Sequence, residues 1–167
     1  KMHILFERWV LIQLFLVLYR SFRFIPPESW KNQLINSIKS NQKNIKINLL
    51  NIPAKRMIDL WYEKELDNNN RPDFVLDLKW RPKHSNKGMP LSEKRFVLDA
   101  KFYDKSTFNR FGGLIAKIDK LYSEKDYSEA NTNPVFIVHP CSTAIEQQKT
   151  AQDWGKYSFL GEIDLLE

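Results

Sequence analysis

A chain of 167 residues, 43% apolar and 28% charged, is long enough to close a core as one domain and lies far from disordered compositions. Its formal charge of +6 and pI near 9.3 favour an acidic partner without requiring one. The one cysteine, Cys141, excludes an internal disulfide, and with His3, His84 and His139 lacking the close spacing of zinc sites no structural zinc is expected; the count fits a reducing, cytoplasmic compartment.

Residues 3–20 are apolar nearly all round, which predicts a helix enclosed by its own domain. Its uninterrupted part, Val10 to Tyr19, is too short to cross hydrocarbon and no small-residue cleavage site follows, so no membrane partner is expected. The uncapped start at Lys1 suits a fragment of a longer chain. Glu7 stands out as an acid on this helix, explained either by a nearby cation or by an exposed position at the helix start.

Pro26-Pro27 breaks the chain, and Glu28 or Ser29 caps an amphipathic helix from Trp30 to Ser40 with Trp30, Leu34, Ile35 and Ile38 on one side. Trp9, Phe15, Phe22, Phe24 and Trp30 are expected in the core. Ile45 to Leu49 alternates as a half-buried strand, and Met57 to Leu66 reads as a second strand, although its charges also suit a helix. Phe74 to Trp80 divides cleanly: Phe74, Leu76, Leu78 and Trp80 on one face, and Asp73, Val75, Asp77 and Lys79 on the other.

A basic linker from Arg81 to Lys94 leads to Arg95 to Tyr103, where Phe96, Leu98, Ala100 and Phe102 share a face and Asp99 and Lys101 share the other. The two strands are expected to pair antiparallel. A helix from Leu114 to about Tyr122, a short strand Val135 to Val138 and a last strand near Gly161 complete the pattern, within one domain over residues 1–167.

An acid and a base two residues apart on a buried strand are costly to desolvate unless they pair, hold a metal or do chemistry. Strand pairing would bring Asp73 to the same edge as Asp99; two carboxylates and the Ala100 carbonyl suit Mg2+, with Mn2+ as its substitute, and Glu7 can add a third carboxylate. Such a cation activates water, Lys101 steadies the developing charge, and hydrolysis of a nucleic-acid backbone is the expected reaction. Asp77-Leu78-Lys79 repeats the spacing but is expected on an exposed edge, and Glu63 competes less well than Glu7 for the helix acid. Arg81, Lys83, His84, Lys87, Lys94 and Arg95 are placed to contact phosphates.

Pro72-Asp73 followed by Asp99-Ala100-Lys101 resembles the PD-(D/E)xK nuclease signature. Together with Phe6-Glu7-Arg8-Trp9, Leu60-Trp61-Tyr62-Glu63 and Arg71-Pro72-Asp73-Phe74, the order of blocks is similar to the McrC-related branch of modification-dependent restriction systems. The resemblance implies an α/β, restriction-endonuclease-like mixed central sheet flanked by helices. It makes Asp73 and Asp99 metal ligands, Lys101 the catalytic lysine and Glu7 the acid of the first helix. Lys120, in Lys120-Leu121-Tyr122-Ser123-Glu124-Lys125-Asp126, matches the family's later helix only in part.

The function implied is a Mg2+-dependent DNA endonuclease of a restriction or defence system, with a nucleotide-driven motor and a second copy as possible partners. A catalytically silent nucleic-acid-binding or assembly module and an RNA nuclease are the alternatives.

Overall fold

Strict alternation of apolar side chains builds a sheet whose two faces have different tasks. The computed structural model describes residues 1–82, 91–102, 106, 113–140 and 161–164, with side chains for all of these except 113–115 and 161–164. Its elements are α1 Met2–Arg20, α2 Trp30–Lys39, β1 Ile45–Asn51, β2 Arg56–Tyr62, β3 Phe74–Trp80, β4 Ser92–Ala100, α3 Gly113–Ser123, β5 Val135–His139 and β6 Gly161–Asp164. The sheet has six strands in the order β1-β2-β3-β4-β5-β6. β1 to β4 are antiparallel to one another, whereas β5 runs parallel to β4 and β6 parallel to β5.

One face carries Ile45, Ile47 and Leu49 of β1, Leu60 of β2, Phe74 and Leu76 of β3 and Leu98 and Ala100 of β4, and α1 and α2 pack on it through Phe6, Val10, Leu11, Phe15 and Leu34. The opposite face carries Val75, Val97, Val135 and Ile137 and is covered by Ile118 and Leu121 of α3 with Tyr127. Helices therefore flank a mixed sheet, as the sequence predicts.

α1 departs from expectation. Phe6, Val10, Leu11, Phe15 and Leu18 are buried, but Leu5, Trp9, Ile12, Val17 and Tyr19 are exposed, so the helix is enclosed on one side only. The whole 19-residue helix, with an 18-residue window of mean hydropathy 1.5, is by length and composition long and apolar enough to cross a membrane, although its uninterrupted part, Val10 to Tyr19, is shorter. Phe22 is exposed as well, while Phe15 stacks on Trp30 with ring centroids 4.4 Å apart.

In α2, Ile35 faces outward, and Ser29 makes no side-chain cap; its carbonyl instead accepts the Gln33 N–H at 3.0 Å. β2 stops at Tyr62 rather than continuing to Leu66, because Glu63 takes a positive φ of 52° and turns the chain out of the sheet. β4 starts at Ser92 and ends at Ala100, so Lys101 and Phe102 lie just past the strand, although the Lys101 N–H still donates to the Val138 carbonyl at 2.8 Å.

Candidate hydrolytic site

The pairing of Phe74 with Leu98 puts Asp73 beside Asp99, where β3 begins and β4 ends. The Ala100 N–H donates to Asp73 Oδ2 at 2.7 Å, and this bond fixes the Asp73 carboxylate across the hairpin. Asp99 is only 1% exposed; its Oδ2 is buried without a hydrogen bond and meets the Lys101 ammonium in an ion pair. Burial, followed by repulsion from the Asp99 carboxylate, pushes Asp73 up to about 8, against the pull of Lys101. Asp73, Asp99 and Lys101 thus converge as the sequence predicts.

Glu7 reaches this end of the sheet from α1. Tyr62 O–H donates to Glu7 Oε2 at 3.4 Å. Burial raises the Glu7 carboxyl above its ordinary value, while His3, the Tyr62 bond and Lys101 oppose the shift. Glu7 also raises Asp73, which places it in the same electrostatic unit. Among the described residues no group of three or more His, Cys, Asp or Glu is close enough to hold a metal as the side chains stand. Ala100 contributes its N–H to Asp73, where the sequence predicted a role for its carbonyl.

The donor set nevertheless fits a hard divalent cation. Two carboxylates that repel each other, one with a buried oxygen lacking a hydrogen bond, suit an ion that takes two protein oxygens and keeps several waters.

Two tyrosines that sequence reasoning passed over border the pair. Tyr62 bonds Glu7, and Tyr127 is buried, donates to the Arg71 carbonyl at 3.2 Å and has its phenol pushed well above the usual range by burial and by Asp99 and Asp73. Tyr62 was legible as the inward residue of an alternating strand; Tyr127 sits in an irregular segment with no periodic signal.

The second Asp-x-Lys corrects another expectation. Asp77 is on the third of six strands, not on an exposed edge, and is 2% exposed. It accepts from Arg95 Nε at 2.7 Å, Lys64 Nζ at 3.2 Å and Trp61 Nε1 at 3.1 Å, and Arg95 also binds Glu129 Oε1 at 2.6 Å. Those donors hold the Asp77 carboxyl below its ordinary value despite burial.

Arg95 is therefore an internal ion-pair residue and not a phosphate contact. Lys94 lies over the Phe96 ring at 5.3 Å, Lys120 pairs with Glu124 at 3.7 Å, Arg81 is exposed, and Lys83, His84, Lys87 and Cys141 fall outside the described residues.

No family model and no solved structure matches the chain. Over all 167 residues it is 41% identical to a pyrethroid hydrolase from Klebsiella sp, and it spans 26% of that relative's length. This likeness overturns the expectation of a DNA endonuclease in a defence system, together with its RNA-cleaving and silent nucleic-acid-binding alternatives: a relative aligned along the whole chain is named for hydrolysing a pyrethroid. The physical reason is that two carboxylates and a lysine specify water activation and charge stabilisation, and leave the bond to be cut unspecified. The short Pro-Asp and Asp-x-Lys matches carried the substrate further than those residues do.

Proposed function

We propose that this chain carries the hydrolytic centre of a longer hydrolase, with Asp73, Asp99, Lys101 and Glu7 as its working groups and an apolar carboxylic ester as its substrate. The observation that carries the reading is the facing pair Asp73 and Asp99 with the Lys101 ammonium against it. The name of the relative supplies the substrate class.

In its ionised form, which becomes populated as pH approaches about 8, Asp73 accepts a proton from a water lying over the pair. The water oxygen forms the new bond to the ester carbonyl carbon, and Lys101 stabilises the oxyanion that develops. The carbonyl–alkoxy bond then breaks, and the proton held at Asp73 passes to the leaving alcohol. Glu7, oriented by Tyr62, keeps the ammonium directed into the site. Asp73 and Asp99 would hold Mg2+, or Mn2+ in its place, which when bound lowers the pKa of its water.

In this reading the likeness to the PD-(D/E)xK set lies in a restriction-endonuclease-like hairpin that activates water, applied to a different bond. The test is to incubate the chain with a pyrethroid ester, with Mg2+ or with a chelator, and to follow release of the acid by chromatography. Wild type should release it and Asp99→Asn should not; equal rates for the two would sink the reading.

A further inference from the structure

Glu7 and Lys101 each stand next to an aromatic ring in the sequence, and the two rings meet. Phe6 precedes Glu7 and Phe102 follows Lys101, and their centroids are 5.6 Å apart although one lies on the first helix and the other just past β4. Trp9, one turn along α1, stacks on Phe6 at 6.0 Å. Phe6 is buried beneath this cluster, whereas Trp9 is 37% exposed and Phe102 48% exposed. Large aromatic surface left open beside a cluster of titratable groups marks a place where an apolar group binds.

We propose that Trp9 and Phe102, backed by Phe6, form the subsite for the flat apolar part of the substrate and set its specificity. This rests on the ester-hydrolase reading and deepens it. Three features select an aromatic or similarly flat group as the occupant. The exposed surfaces are ring faces and edges, which pack best against another ring. The rings belong to the same two segments as Glu7 and Lys101, so a group seated on them keeps an attached ester within reach of the polar cluster. Glu7, next to Phe6, interacts electrostatically with Lys101, which ties the ring cluster to the polar one at this end of the sheet.

The experiment compares kcat/KM for a pyrethroid ester and for p-nitrophenyl acetate in wild type, Phe102→Ser and Trp9→Gln, with Ile52→Ser as a control on the distant, exposed β1–β2 turn. Equilibrium dialysis measures pyrethroid binding to the same proteins. The ratio of pyrethroid to acetate turnover should fall roughly tenfold or more in either aromatic variant, in line with the loss of one apolar subsite contact, and should hold in the control. An unchanged ratio overturns the subsite. Should wild type hydrolyse neither ester, the functional reading fails on its own, and dialysis still decides: pyrethroid binding weakened tenfold by Phe102→Ser supports the subsite, and undetectable or unchanged binding overturns it. Trp9→Gln covers the case in which Phe102→Ser does not fold.

Discussion

Two acid–base clusters share one face of the sheet, four residues apart along β3 and β4, and they are built on opposite principles. Around Asp77 each charge is answered: Arg95, Lys64 and Trp61 donate to the carboxylate and Glu129 takes the remaining side of Arg95. Around Asp73 and Asp99 the charges conflict, with two carboxylates facing each other and a single ammonium between them. The first arrangement lowers the proton affinity of its acid and the second raises it. Identical residue types therefore yield a structural brace in one place and a poised site in the other, and the count of donors decides which.

The contrast can be broken first at the poised end. Asp99→Asn should lower hydrolysis by about 10²–10⁴-fold, the usual share of acid–base and charge stabilisation, while thermal unfolding changes less than in the brace, because loss of the Lys101 ion pair is offset by relief of the repulsion with Asp73. Asp77→Ala should do the reverse, costing about 3–5 kcal/mol in denaturant unfolding because Arg95 and Lys64 lose their buried partner.

Cation binding gives a further separation. Mg2+ at 100 times its Kd should stabilise wild type by about 2.7 kcal/mol, and the gain should vanish in Asp73→Asn while persisting in a conservative change at the brace such as Lys64→Arg.

pH sharpens the same comparison, with opposite signs. Asp73 rises from an unfolded value of 3.8 to about 8, so between those values the unfolded chain ionises while the folded one stays protonated, and stability falls as pH climbs. Asp77 is lowered in the fold, so its contribution is complete above 3.8 and is lost as pH drops through the folded value. Melting curves from pH 3 to 9 should show a falling limb above pH 4 that flattens in Asp73→Asn. The smallest effect belongs to Tyr62→Phe, which removes one bond to Glu7 and should cost about 1 kcal/mol, read by urea unfolding.

Much of this was legible in the chain. The period-two runs of β1, β3 and β4 and the pairing of β3 with β4 follow directly from side-chain alternation, and with the pairing comes the meeting of Asp73 and Asp99. What the chain did not disclose depends on distant partners. Asp77 read as an edge residue because nothing local announces that Arg95, Lys64 and Glu129 will converge on it. α1 read as enclosed because composition reports how apolar a helix is and not which of its sides is covered. The substrate was misread for a related reason: an Asp-x-Lys spacing carries no information about the bond to be cut, and surfaces such as the Trp9, Phe6 and Phe102 rings are brought together only by folding.

The sheet order repeats the chain order, strand by strand. The antiparallel pairings of β1 to β4 are therefore made between strands adjacent in the chain, whereas the parallel β4–β5 and β5–β6 pairings must close longer connections and form more slowly. The β3–β4 hairpin can assemble its carboxylate pair early, but Glu7 must arrive from an N-terminal helix whose contacts span most of the chain. Completion of the cluster is then coupled to docking of α1, because Glu7 joins the Asp73–Asp99 pair only when that helix packs on the sheet.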